Sequence, residues 1–286
     1  MGILYLVATP IGNLGDMTPR AIKTLQTVDL IAAEDTRHTG KLLQHFQITT
    51  PQISYHDHNR HGRTQELLAK LQAGQNIALV SDAGTPGISD PGQELVAACG
   101  ELNIEVIPIP GATALIAALI SSGLATDRFV FDGFLPTKNQ PRRQLLQALA
   151  KEQRTIILYE APHRLLATLT DLQTVLGAER NLTVARELTK YHEQFWRGSL
   201  QTAIAYFTEN TPKGEFCLVI AGATPEDRPS FPEENLRDEL RSLMAKGLTR
   251  SQASRQLAEE TKLPRRQLYQ LSLALEPDGW NPILCQ

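Results

Sequence analysis

No apolar run in this chain of 286 residues approaches the roughly 18 needed to cross a bilayer, so no membrane span is expected. The opening residues, Met1-Gly2-Ile3-Leu4-Tyr5-Leu6-Val7, lack a basic leader and a cleavage site. They read as a first strand rather than a secretion signal. Cysteine is scarce: Cys99, Cys217 and Cys285 are odd in number and far apart. That pattern excludes a disulfide framework, offers no metal-ligand spacing and points to a reducing cytoplasm. An excess of positive charge is missing too. The formal net charge of -3 excludes a globally basic nucleic-acid binder but leaves a local basic patch open. The chain has no G-x-G-x-x-G and no G-x-x-x-x-G-K, which argues against a dinucleotide-binding fold and a nucleotide triphosphatase. Repeats and low-complexity segments are also lacking.

What is present is ordinary globular composition, 42% hydrophobic and 21% charged, at a length that implies two or three domains. Strand and helix signals alternate through residues 1–121. Strands are expected at 3–8, 30–33, 77–80 and 105–108, and helices at 19–25, 62–71, 93–102 and 112–120. Thr18 is the natural N-cap of the first helix, with Pro19 at its first position. This rhythm implies a parallel sheet with helices on both faces. A hinge follows at 121–126, then a second, mixed α/β unit through residue 224. Its expected strands are 129–131, 155–159, 182–186, 193–197 and 216–220, with helices at 141–151 and 163–176. Residues 224–232 form a polar, proline-rich linker. A helical unit then spans 233–276, with helices expected at 235–246, 251–260 and 264–275.

The chemistry concentrates in loops that follow strands. Ser81-Asp82-Ala83-Gly84-Thr85-Pro86-Gly87-Ile88-Ser89-Asp90-Pro91-Gly92 lies between a buried-type strand and a helix. Ligands bind at that place in open α/β sheets. Glycine there lets backbone approach a ligand, and proline fixes the loop's shape. Four further loops share this character: residues 8–16, Ala33-Glu34-Asp35-Thr36-Arg37, Pro108-Ile109-Pro110-Gly111-Ala112-Thr113-Ala114, and Tyr159-Glu160-Ala161-Pro162-His163-Arg164. The fourth in chain order opens a helix, leaving backbone N–H groups for a ligand's carboxylate. Four loops in one α/β domain and one in the next point to a cleft between two lobes.

The ordered set T-P-I-G-N-L-G-D, A-E-D-T-R, H-D-H-N, S-D-A-G-T-P-G-I-S-D-P-G, I-P-G-A-T-A and Y-E-A-P-H-R resembles the tetrapyrrole methylase superfamily. Within it the resemblance is to the ribosomal RNA small subunit methyltransferase I family. Porphyrinoid-methylating relatives usually carry Gly-Gly-Asp-Pro where this chain has Ala83-Gly84-Thr85-Pro86, which favours the rRNA branch. The resemblance implies a two-domain class III methyltransferase fold with S-adenosylmethionine in the interdomain cleft. It implies transfer to the ribose 2′-oxygen of a cytidine in 16S rRNA of the 30S subunit, by a cytoplasmic homodimer. By position, Pro10 would underlie the methionine part of the cofactor. Asp82, Ala83, Gly84, Thr85 and Ile88 would wrap its middle, and Thr113 and Ala114 would hold its methionine end. Glu160 and Leu188 would close over the adenine side, with residues 214–217 flanking the adenine.

A ribose hydroxyl attacks well only after losing its proton, so a base is expected. Glu34, Asp35 and Glu160 are the leading candidates, with His56, His58 and Glu187 behind them. Nothing in the sequence requires a metal. Arg37, Arg60 and Arg63 could reach phosphates, or be ordinary surface arginines. Between Asn235 and Gln270 eight Lys or Arg stand against four acids, in a pattern similar to a helix-turn-helix. That suits phosphate binding, and equally a solvated helical bundle. Two alternatives remain open at this point: a porphyrinoid or corrin methylase of the same fold, and a helix-turn-helix DNA-binding regulator.

Overall fold

The computed structural model describes residues 1–224, 233–261 and 263–275. Most of the proline-rich linker, Lys262, Cys285 and the end of the expected helical unit at 276 lie outside the described residues. The chain divides into two compact units, residues 1–223 and 224–286.

The first unit holds two five-stranded sheets. Strands β1 (Leu4–Val7), β2 (Leu30–Ala33), β3 (Gln52–Ser54), β4 (Ile77–Val80) and β5 (Val106–Ile109) pair in parallel in the order β3-β2-β4-β1-β5. Both faces are buried, as parallel sheets require. Successive side chains point to opposite faces. Thus Leu4, Leu30, Ala32, Ile77 and Leu79 pack on one face with Leu67, Leu71 and Leu95 from helices α3 (Arg60–Gln72) and α4 (Gln93–Glu101). Val7, Ile31, Ala33, Ala78 and Val80 pack on the other face with Ala21, Leu25 and Leu43 from α1 (Pro19–Thr27) and α2 (Thr36–His45). Each such fully buried Leu or Ile contributes about 1.5–3 kcal/mol. The chain leaves β1 toward β2 and leaves β4 toward β5, although β1 and β4 are neighbours. Their C-terminal loops therefore part at a topological switch point, where such sheets bind ligands.

The second sheet is mixed, in the order β6-β7-β10-β8-β9. Strand β6 (Phe129–Phe134) is parallel to β7 (Thr155–Glu160), while β10 (Phe216–Ile220), β8 (Asn181–Arg186) and β9 (Gln194–Ser199) pair antiparallel. One face packs on α6 (Asn139–Leu149), α7 (Leu165–Leu176) and α8 (Leu200–Glu209). The other face packs on α5 (Ala114–Ser122), through Leu115, Ala118 and Leu119 against Ile157, Ala185, Cys217 and Val219. The sequence reading groups α5 with the first sheet. The structure instead packs its Leu115, Ala118 and Leu119 on the second, so the α5 N-terminus joins the two sheets.

Three elements escape the sequence pattern: β3, α2 and α8. The α2 segment carries Gly40 in its interior and a polar first turn, which hides its periodicity. The α8 segment is rich in Thr and aromatic residues; its Ser199 capping box uses Thr202, not the usual Glu or Gln. The second unit holds α9 (Glu233–Ala245), α10 (Arg250–Thr261) and α11 (Arg265–Leu273) around Leu236, Leu240, Leu243, Leu257 and Leu268.

Candidate active site

The loops after β1 and β4 are stitched together. The Thr9 N–H donates to the Gly84 carbonyl at 2.8 Å, the Gly84 N–H returns to the Thr9 carbonyl at 3.1 Å, and the Thr9 hydroxyl donates to the Ser81 carbonyl at 3.2 Å. Gly84 adopts φ +82°, and a Cβ there would meet Ile11 Cγ2 at 3.3 Å, so glycine suits both the conformation and the close approach. The loop after β2 is tied in as well. Asp82 Oδ1 accepts from the Asp35 N–H at 3.0 Å, and Glu34 Oε2 accepts from the Asp82 N–H at 3.2 Å. The β5–α5 loop joins through Thr85, whose hydroxyl is 2.7 Å from that of Thr113.

The second sheet closes the site from the other side. The Leu115 N–H, in the first turn of α5, donates to the Tyr159 hydroxyl at 3.1 Å. The Asn13 N–H donates to Thr189 Oγ1 at 3.1 Å, fixing the β1–α1 loop against the loop after β8. That second loop is strained, with positive φ at Glu187 and Thr189. It is braced by Lys190 Nζ, which reaches Glu187 at 2.9 Å and Glu215 at 2.7 Å. Gly133 lies at a β6 irregularity, where a Cβ would meet Ser89 Oγ at 3.2 Å.

Between these loops lies a cavity of about 410 Å³. Asp82, Ala83, Gly84, Thr85, Ile88, Thr113, Ala114, Glu160 and Leu188 line it, together with Glu34. Pro10 and Asp35 do not line it. Asp35 instead N-caps α2, accepting from the Arg37 N–H at 2.8 Å and pairing with the Arg37 guanidinium at 2.7 Å. Those hydrogen bonds hold its carboxyl well below the usual range. Glu160 lines the wall but its oxygens are committed. It accepts from the Thr168 hydroxyl at 2.5 Å and the Ala161 N–H at 2.9 Å, and Arg164 stands 3.5 Å away. Burial pushes Glu34 up, partly offset by the Asp82 N–H.

Sequence reasoning did not single out Ile11, Ser89, Asp90, Phe134, Tyr159 or Ala185 as site residues, and all line the cavity. Asp90 and Tyr159 stood inside loops already marked by their glycine and proline content. Phe134 carried no signal, because its place depends on the bulge in β6. Asp90 is raised to about 7, chiefly by burial and then by the Glu34 charge, against a hydrogen bond from Ser81. Burial holds the Tyr159 hydroxyl and the Cys217 thiol up at about 12, so both stay neutral. His56 and His58 do not line the cavity; their rings lie 6.0 Å apart, edge to face. Among the described residues no cluster of three His, Cys, Asp or Glu side chains is placed to hold a metal ion.

Residues 3–204 match the family model for tetrapyrrole (corrin/porphyrin) methylases. Over 279 residues the chain is 94% identical to a ribosomal RNA small subunit methyltransferase I of Synechocystis sp., covering 98% of this chain and 100% of that protein. The chain belongs to the ribosomal RNA small subunit methyltransferase I family. A member from Bacillus subtilis is 46% identical, over 94% of this chain and 93% of its own length. Among solved structures, a Thermus thermophilus uroporphyrin-III C-methyltransferase complexed with S-adenosylhomocysteine superposes with a TM-score of 0.55 at 17% identity. It covers 76% of this chain and 97% of its own, a likeness of fold alone. The family's α/β methylase architecture therefore extends over the first unit, and neither relative supports a DNA-binding regulator.

Proposed function

We propose that this member of the family transfers the methyl group of S-adenosylmethionine to the ribose 2′-oxygen of a cytidine in 16S rRNA, on the 30S subunit in the cytoplasm. The observation that carries the reading is the cavity at the β1/β4 switch point, closed by loops from both sheets. The residues present fit the cofactor. Ile11, Ile88, Leu188 and Phe216 offer apolar walls for adenine and thioether groups. The α5 N-terminus carries no side-chain cap from Thr113, so its partial positive charge suits a carboxylate. Gly84 supplies a close-approaching backbone.

In this reading Ala83, Gly84, Thr85 and Ile88 hold the cofactor's middle and Thr113 and Ala114 its methionine end, with Asp82 beside them. Leu188 covers the adenine side. Glu160, locked by Thr168 and Arg164, keeps that wall in place. Pro10, buried next to Thr9, follows the Thr9–Gly84 bridge and does not line the cavity. When bound, the sulfonium supplies an electrophilic methyl carbon. The protein's task is to present the ribose oxygen to it in line, at about 3 Å, and to exclude water. Phe134, 49% exposed, stands at the mouth of the cavity, and Tyr191, 96% exposed, projects from the braced loop beyond Leu188. Both offer aromatic faces on which an unstacked base can lie. Arg37, with 89% of its side chain exposed, remains accessible to a phosphate despite its Asp35 pair.

The reading includes a homodimer. Ile116 and Ile120, on one face of α5, are 42% and 71% exposed and would be covered by a second copy. Light scattering should give the dimer mass. Incubation with methyl-labelled cofactor tests the activity: label should enter 16S rRNA of 30S particles and no porphyrinoid. Labelled porphyrinoid with unlabelled RNA would establish the small-molecule alternative.

A further inference from the structure

Five carboxylates line the cavity: Glu34, Asp82, Asp90, Glu160 and Glu215. Four are held by backbone or cationic donors. Glu34 takes the Asp82 N–H, Asp82 the Asp35 N–H, Glu160 the Ala161 N–H and Arg164, and Glu215 the Lys190 ammonium. Among the described residues, Asp90 alone receives neither, and no Lys or Arg lines the cavity to neutralise it. Its loop is also fixed in place. Ser89 adopts φ +61°, Gly87 +82° and Gly92 +150°, and Ser89 rests against the Gly133 bulge of the second sheet. The left-handed backbone of Ser89, a strain of about 1–3 kcal/mol for a non-glycine residue, sets the turn just before Asp90, while Gly87 and Gly92 adopt their positive φ freely. It brings Asp90 to the same cavity that Ile88 and Phe134 border, both partly exposed.

We propose that Asp90 is the base that takes the proton from the ribose 2′-hydroxyl. The inference rests on the rRNA-methylation reading and names the group that activates its nucleophile. As the Asp90 carboxylate accepts the proton, the freed oxygen pair forms the bond to the methyl carbon. The carbon–sulfur bond breaks with its pair going to sulfur, leaving a neutral thioether and a neutral carboxylic acid. Burial beside Glu34 makes Asp90 a stronger base than an exposed aspartate, and its value near 7 suits proton transfer at neutral pH. The groups that face it are Glu34, Asp82, Asp57, Ser81 and Tyr159, and His56 faces Glu34.

The test is single-turnover methyl transfer to unmethylated 30S subunits, measured from pH 5.5 to 9 in steps of about half a unit. Wild type should gain rate as pH rises through about 7 and then level off. Asp90→Asn should lose about 10²–10⁴-fold in rate and lose that acid limb. Its affinity for S-adenosylhomocysteine, by calorimetry, should stay within about 3-fold of wild type, a change under 1 kcal/mol. An Asp90→Asn rate within that same factor of wild type overturns the assignment. So does a loss matched by an equal loss of cofactor affinity. If Asp90→Asn does not fold, Asp90→Glu decides: a displaced acid limb supports the assignment, and an unchanged limb and rate overturn it. Wild-type enzyme that methylates no 30S RNA overturns the functional reading, and the assignment with it.

Discussion

The hydroxyls of Thr85 and Thr113 lie 2.7 Å apart, joining the β4 loop to the start of α5 at the cavity wall. Thr85 also donates to the Ala112 carbonyl at 3.3 Å. The pair fixes both the loop that wraps the cavity and the helix end that faces it. Thr113→Val removes one hydroxyl and leaves the other with the Ala112 carbonyl alone. Losing a hydrogen bond of this kind costs about 1 kcal/mol, so S-adenosylhomocysteine should bind about 5-fold more weakly, by calorimetry.

Gly84 tests the close approach. Ala at this position meets a positive φ of +82° and places a Cβ 3.3 Å from Ile11. A left-handed backbone costs a non-glycine residue about 1–2 kcal/mol. Gly84→Ala should therefore lower urea stability by about that amount, and reduce cofactor affinity because Ile11, which lines the cavity, must give way.

Much of this was legible in the sequence, for a physical reason. Ligand loops in parallel sheets announce themselves with glycine and proline after an apolar strand, as at 81–92. Strand β2 and the Thr18 cap of α1 followed from local pattern alone. What depends on tertiary packing was not legible. The α5 helix is apolar nearly all round, so its sequence cannot say which sheet it covers. Asp35 reads as a cleft acid but caps α2, because Arg37 two residues on completes the turn. The distinction between Asp90 and the other acids lies in which donors reach them, and those donors come from distant segments.

The half-buried charge of Asp90 should be visible in stability. Its folded value of about 7 lies above the ordinary aspartate value of 3.8, so the folded state holds an extra proton between the two. Stability must then fall as pH rises through that window. Well above pH 7 wild type carries a half-buried charge and Asp90→Asn does not. The variant should be the more stable protein at pH 8, and the difference should vanish near pH 4, measured by urea denaturation across pH.

The helical unit offers a separate test. Arg265 and Arg266 are exposed at the start of α11, and Arg265 Nη2 donates to the Ser251 hydroxyl at 2.8 Å. Changing both to Glu should weaken binding to 30S subunits and flatten its dependence on salt, by about one unit of log–log slope for each phosphate no longer neutralised. Affinity for S-adenosylhomocysteine should not change.

The most direct measurement is the fate of the methyl group. Purified protein, labelled S-adenosylmethionine and 30S subunits from cells lacking the enzyme are combined, and the 16S rRNA is mapped by nuclease digestion and mass spectrometry. The expected result is label on the ribose 2′-oxygen of one cytidine. Unlabelled rRNA, or label on a base rather than a sugar, would contradict it.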